Sequence, residues 1–426
     1  MPQMNKTQPV TSGPQRALRR HLHAQWPAAR TAVTGFFLLD GFLFATWVVR
    51  IPPIKAQVHA SPGALGLALL CISLGAVLTM AFTGRACVRF GTAPVTAATA
   101  VLLSLALALP PQTHSVLLLG LSLFVFGIGY GGLNVGMNSA AVDLCAAHPR
   151  VQMPSFHAAF SLGGLLGSLV GGAVATGLTP AVHLALAGLI GLLVTAWAGT
   201  VLLRNPVAPA TAQPPSAADR APDGRDRTRA RTRAVAAGST LLVVLIGLVA
   251  LCDAYGEGAL ADWTTLHLSS DLHATPAVAA WGFSAFSIAM TAGRLAGTRA
   301  LDRLGPTRLL SGGAGLAAAG MLTAALSPSI VPAILGLLLV GLGLANIFPV
   351  AMDRAGALRG AHGVATASTF GYGGMVIGPP VIGFLAQLAG LPLALVSVAL
   401  LAAISGTLAL VVARASRPAP PAADAA

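Results

Sequence analysis

Charge is what this chain has least of. Asp, Glu, Lys and Arg together make up 9% of its 426 residues, where a soluble domain carries about a quarter. That supply cannot clothe a large water-facing body. Carboxylates are scarcest, with 12 Asp and Glu in all, so each one inside an apolar stretch stands out. Cysteine is nearly absent: Cys71, Cys87, Cys145 and Cys252 lie in or beside apolar runs and have no paired metal-ligand spacing. They read as small packing residues rather than a disulfide or metal framework. No HExxH, GxSxG or clustered metal ligand falls on the apolar runs, which argues against an intramembrane enzyme and against a metal or other cofactor.

Apolar residues fill the space that charge leaves, at 55% of the chain. They fall into twelve stretches near the twenty residues that a helix needs to cross the hydrocarbon slab. The expected spans are 30–51, 64–83, 92–110, 115–142, 155–178, 181–203, 236–261, 276–296, 306–326, 329–352, 363–389 and 391–413. Glycine, at 49 residues, suits such a bundle. Lipid supplies no hydrophobic drive between helices, so close backbone approach at small residues takes its place. Residues 1–29 and 414–426 read as disordered cytoplasmic tails, the first without a cleavage site after a short apolar core. Residues 204–235, with Pro, Ala and Arg225, Arg227, Arg229, Arg231 and Arg233, read as a cytoplasmic linker.

The net charge of +13 brings nucleic acid to mind, but its placement argues for a bilayer. Walking the loops, 23 of the 25 Lys and Arg fall on the side of the N-terminus, and only Arg50 and Lys55 fall on the other. That is the positive-inside pattern, and it predicts a multi-pass plasma-membrane protein with both termini cytoplasmic.

The chain also repeats itself. Gly84-Arg85-Ala86-Cys87-Val88-Arg89-Phe90-Gly91 matches Gly297-Thr298-Arg299-Ala300-Leu301-Asp302-Arg303-Leu304-Gly305. Asn134 matches Asn346, and Phe160-Ser161-Leu162-Gly163-Gly164 echoes Phe370-Gly371-Tyr372-Gly373-Gly374, all at offsets of about 210 residues. The expectation is an all-α integral membrane protein built as two six-helix pseudo-symmetric bundles, 30–203 and 236–413. A solute site near mid-membrane at their interface goes with that plan.

On these motifs the chain resembles the major facilitator superfamily over its whole apolar length. Gly297, Asp302, Arg303 and Gly305 fit that family's loop signature, and the first copy departs from it with Val88 in place of the acid. Three stretches resemble a YbjJ-like branch that includes rhizopine transporters and is distantly similar to fucose permease. They are Trp47-Val48-Val49-Arg50-Ile51-Pro52, the region from Asn138 through Ser155-Phe156-His157 to Gly164, and Glu257-Gly258-Ala259-Leu260-Ala261-Asp262-Trp263. The resemblance implies a gradient-driven carrier, proton-coupled, for a small polar solute such as a sugar or cyclitol derivative. Efflux of drugs or toxic metabolites is the competing implication. Gly163-x-x-x-Gly167-Ser168 and Gly374-x-x-x-Gly378-Pro379 resemble a glycine pattern of proton antiporters, although close helix packing explains both equally.

Asp40, mid-way along the first span, is the leading proton-coupling candidate. A charge there costs several kcal/mol and a proton removes much of that cost; a structural, hydrogen-bonded Asp is the alternative. Glu257 is the second candidate, with Asp253 one turn away on the same face. Arg50 is placed to pair with Glu257 or Asp262 in an outer gate. Asn134 and Asn138, at i and i+4, with Asn346, His157 and Trp263, form the expected solute path. Arg85, Arg89, Asp302 and Arg303, with Asp143 and Asp353 as partners, are expected to latch the inner side in one state. A small-molecule substrate, protons and lipid are the expected partners, nucleic acid is not, and the protein is expected to act as a monomer.

Overall fold

A computed structural model of the chain describes residues 13–147, 153–205 and 229–415, with side chains from Trp26 onward in the first helix and from Thr240 onward after the gap. The first half consists of α1 (Gly13–Val49), the short α2 (Ile51–Gln57), α3 (Pro62–Phe90), α4 (Thr92–Ala106), α5 (Val116–Ala147), α6 (Met153–Ala173) and α7 (Pro180–Arg204). The second consists of α8 (Arg229–Ser270), α9 (Pro276–Leu326), α10 (Ile330–Leu344), α11 (Ile347–Ala389) and α12 (Leu391–Ala415). Among the described residues, eleven stretches are long and apolar enough to cross a bilayer. One of them, α9, has 51 residues, or roughly 76 Å at 1.5 Å per residue, and crosses twice. The described residues therefore make twelve crossings.

The expected hinges after the second and eighth spans are helical almost to their ends. Nothing in Arg85–Phe90 or Thr298–Leu304 breaks a helix, so the turns are pushed to Gly91 and Gly305. Both have positive φ, 90° and 72°, which side chains with a Cβ rarely adopt. The segments expected as tail and linker also differ where they meet the bundle, because 13–29 and 229–235 belong to α1 and α8. Arg, Ala and Leu are good helix formers, and extending an existing helix is far easier than nucleating one. The rest of the expected tails and linker, 1–12, 206–228 and 416–426, lies outside the described residues.

Small residues set the packing. At Gly163 on α6 a methyl would overlap the Leu38 carbonyl of α1, and at Gly374 on α11 it would overlap the Leu251 carbonyl of α8. The two contacts are the same contact: Leu38 and Leu251, like Phe42 and Tyr255 one turn on, are separated by 213 residues. Facing outward, Leu117, Leu193, Leu335 and Leu400 are more than half exposed, as befits surfaces turned to lipid rather than water.

Candidate functional site

The halves meet at the end of the bundle remote from the termini. On α3 and α11, Gly66 lies against the Pro379 carbonyl and Gly383, and the Ser73 hydroxyl donates to the Met375 carbonyl at 3.4 Å. On α6 and α9, the Ser284 hydroxyl donates to Ser168 Oγ at 2.7 Å and Gly172 abuts Ala280 and Trp281. Thr265 Oγ1 donates to the Val48 carbonyl at 3.3 Å. These residues lie on the early turns of α3 and α9 and the late turns of α1, α6, α8 and α11, which share one end. At the other end, Phe82 and Val88 on α3 and Leu295 on α9 are exposed. Among the described residues the molecule is closed at the far end and splayed at the end where α1 begins and α12 finishes.

Between the halves lies a cavity of about 260 Å³ lined from α1, α3, α5, α6, α8, α9 and α11. Phe44, Phe160, Phe283, Phe286, Met80 and Met290 form its apolar walls, while Glu257, Arg294, Asn134, Tyr130, Tyr372 and Asp262 supply its polar groups. One Arg294 guanidinium nitrogen donates to Glu257 Oε1 at 2.9 Å, and both side chains are about 30% exposed, at 32% and 30%. An ion pair at a cavity wall presents donors and an acceptor that a hydroxylated or amine-bearing solute can use. Tyr130 stacks on Phe44 with ring centroids 5.1 Å apart, which fixes one aromatic face at the cavity edge.

Asp40 sits on α1 beside this cavity, next to the lining residue Gly41. It is fully buried, and neither carboxylate oxygen has a hydrogen-bond partner among the described residues. The hydrogen-bonded structural role left open by the sequence is therefore not seen. The Tyr130 hydroxyl lies within electrostatic reach of both Asp40 and Glu257.

The remaining expected site residues scatter. Asn134 and Asp262 line the cavity, but Asn138 Nδ2 donates back to the Asn134 carbonyl at 2.7 Å and stays out of the wall. Asn346 turns away as well: it stands between α10 and α11, and its Nδ2 donates to the Gly293 carbonyl at 2.9 Å. The Trp263 ring is fully buried in helix packing because α8 continues to Ser270, past the expected end at 261. His157 is exposed one turn from the lining residue Phe160, edge-on to Phe37 at 5.4 Å and within electrostatic reach of Arg294 across the opening.

The expected outer gate is corrected. Arg50 Nε donates to His183 Nδ1 at 2.7 Å, and its terminal nitrogens donate to the Ala175 and Val174 carbonyls at 3.2 and 3.3 Å. All three partners belong to the first half, so Arg50 is satisfied there, and Glu257 takes Arg294 instead. At the splayed end, Arg85, Arg89, Asp302, Arg303 and Asp353 are exposed and form no ion pair among the described residues, while Asp143 is half-buried at the end of α5. A latch that spans the halves cannot form while they stand apart. Arg354, which the sequence reading passed over, ties the C-terminal half to itself by donating to Thr307 Oγ1 at 3.0 Å.

Two six-helix halves related by repeat, closed around a central cavity at one end, are the architecture of a known carrier family. A family model described as Major Facilitator Superfamily matches residues 32–256 and 246–426. The chain belongs to the Major Facilitator Superfamily. An uncharacterized MFS-type transporter of Yersinia pestis is 32% identical over 371 residues, covering 86% of this chain and 91% of that protein. Among solved structures, a bacterial homolog of the human lysosomal transporter Spinster superposes with a TM-score of 0.68 at 15% identity, covering 96% of this chain and all of that one. The Escherichia coli fucose:proton symporter FucP superposes with a TM-score of 0.56 at 17% identity, covering 91% and 99%. As a facilitator the protein is a multi-pass membrane transporter of a small molecule and not an enzyme.

Proposed function

We propose that this facilitator is a proton-coupled secondary transporter that moves a sugar, cyclitol or related polar derivative across the inner membrane by alternating access. It works as a monomer with both termini in the cytoplasm, so the state described above is the one open to the cytoplasm. The observation that carries the reading is the Glu257–Arg294 pair facing the cavity between the halves, with Asp40 buried alongside it and without a hydrogen-bond partner among the described residues. A solute that bonds to Glu257, Arg294 and Asn134 lies with its apolar faces on Phe44 and Phe286. Binding drives rocking only if the solute prefers one state over the other. Asp40 carries the proton: an ionised carboxylate without a partner is costly in that place, and protonation is the simplest way to remove the cost.

The test is counterflow and pH-driven uptake of labelled L-fucose, myo-inositol and glucosamine in liposomes. Wild type is expected to accumulate at least one of them when the inside is alkaline. Asp40→Asn is expected to keep counterflow and lose the uphill phase; undiminished proton-driven uptake in that variant removes Asp40 from the mechanism. The apolar cavity walls favour a second reading, antiport efflux of drugs or toxic metabolites. A deletion strain that becomes sensitive to a toxin panel, with no defect in growth on sugars or cyclitols, supports efflux over uptake.

A further inference from the structure

Three carboxylates are buried in the described membrane core, Asp40, Asp253 and Asp262, and the two most deeply buried, Asp40 and Asp253, are counterparts. Asp40 on α1 and Asp253 on α8 are separated by the same 213 residues that relate Leu38 to Leu251 and Phe42 to Tyr255, the residues against which Gly163 and Gly374 pack. Each carboxylate therefore stands two residues beyond a carbonyl that a glycine of the facing helix covers. The environments match too: Asp40 is 0% and Asp253 1% exposed, and all four oxygens lack hydrogen-bond partners among the described residues. One orphaned acid can be an accident of packing, but the same acid in both repeats, orphaned in both, is not explained by packing.

The surroundings of Asp253 add what Asp40 lacks, a cation within reach. Glu257 is one turn along α8, and Arg294 on α9, now bonded to Glu257, lies within electrostatic range of Asp253. The Phe348 amide in the first turn of α11 is directed at the Asp253 carboxylate. Cys252 is its neighbour on α8, α11 carries Asp353, Arg354, Arg359, His362 and Tyr372, α10 carries no titratable side chain, and α12 carries only Arg414 near its C-terminal end.

We infer that Asp253 is a second proton-binding carboxylate, with Arg294 as the cation that displaces its proton when a solute occupies Glu257. In that step the Asp253 O–H bond breaks, the proton passes to water in the splayed opening, and the guanidinium leaves the Glu257 carboxylate to compensate the new charge. The inference rests on the proton-coupled reading above and adds a second ionisable site to it.

The experiment needs no solute. Full-length protein in liposomes is titrated while the carbonyl stretch of protonated carboxyl groups is followed by infrared difference spectroscopy. The proteins compared are wild type, D40N, D253N, the double variant D40N/D253N, and R294M. D40N and D253N are each expected to lose a separate part of the band, and the double variant both parts. R294M is expected to move the Asp253 component to higher pH by about one unit or more, since it removes an opposite charge. A wild-type band in folded D253N overturns the inference, and so does a component that R294M leaves in place. Should D253N fail to fold, D253E keeps an acid on a longer arm, and a band unmoved by that change is equally fatal. If D40N removes part of the band but D253N does not, only this inference falls; proton-independent flux of labelled solute would overturn the reading beneath it.

Discussion

The two halves share a skeleton and differ in chemistry. Gly163 on Leu38 and Gly374 on Leu251 are one contact made twice, and Asp40 and Asp253 are one acid buried twice. At the offset where the second half has Glu257 and Arg294, however, the first has Phe44 and Ala81. Asn346 interrupts α10 and α11, whereas its counterpart Asn134 lies in the unbroken α5. The arginine of the first half that enters the bundle, Arg50, is consumed by His183 and two carbonyls. Backbone packing tolerates no change on either side, so it stays symmetric. Side chains facing the cavity are free to diverge: both halves supply aromatic walls, while the Glu257–Arg294 ion pair belongs to the second half alone.

The largest effect expected from breaking this asymmetry is at Arg294. Arg294→Ala leaves Glu257 without its partner and should cost about 2 kcal/mol or more in solute affinity, roughly 30-fold, whereas Ala81→Ser at the matching place should leave affinity unchanged. Isothermal titration with a transported solute measures both, and equal losses would deny that the halves have different jobs. Next come the packing glycines. Gly163→Ala and Gly374→Ala each force a methyl against a backbone carbonyl that cannot move aside, and should destabilise by about 1–3 kcal/mol. Thermal unfolding of the purified protein should give similar losses for the two, and a large difference would show that the repeat is not mechanical.

Smaller effects sharpen the picture. Glu257→Ala should lower stability by about 1–2 kcal/mol, less than a fully buried pair because a third of each side chain meets water, and Glu257→Ala combined with Arg294→Ala should regain most of it. An additive double variant would mean that the pair is not coupled. The smallest expected change is at the far-end closure. Ser284→Ala removes the hydroxyl bonded to Ser168, worth about 1 kcal/mol, and should shift the population about fivefold toward the state open at that end. Spin labels at the exposed His59 and Ser329 should then report a larger long-distance fraction; an unchanged distribution would remove this bond from the gate.

Much of this was readable in advance because lipid constrains the sequence so heavily. Span count, basic asymmetry and repeat offsets are all one-dimensional patterns, and together they carry the family resemblance. The site was less legible. Arg294 lies inside the expected span 276–296, where an arginine is a signal in itself, but the sequence does not say which carboxylate it meets. The pairing of Asp40 with Asp253 also sits in the offset, yet it gains meaning only once both are seen buried and unpartnered. Arg50 meets His183 rather than Glu257 or Asp262 because depth along a helix says nothing about which way a side chain turns.

The sequence by itself determined that this chain lives in a bilayer, crosses it twelve times and is built from two related halves, since apolar length, charge sidedness and repetition need no third dimension. Only the tertiary structure decided which ionisable groups meet: Glu257 with Arg294, Arg50 with His183, and Asp40 and Asp253 without a hydrogen-bond partner among the described residues. The reason is physical, because partner choice depends on the rotation and crossing of helices hundreds of residues apart, and glycine-on-carbonyl contacts fix those to within an atom's width.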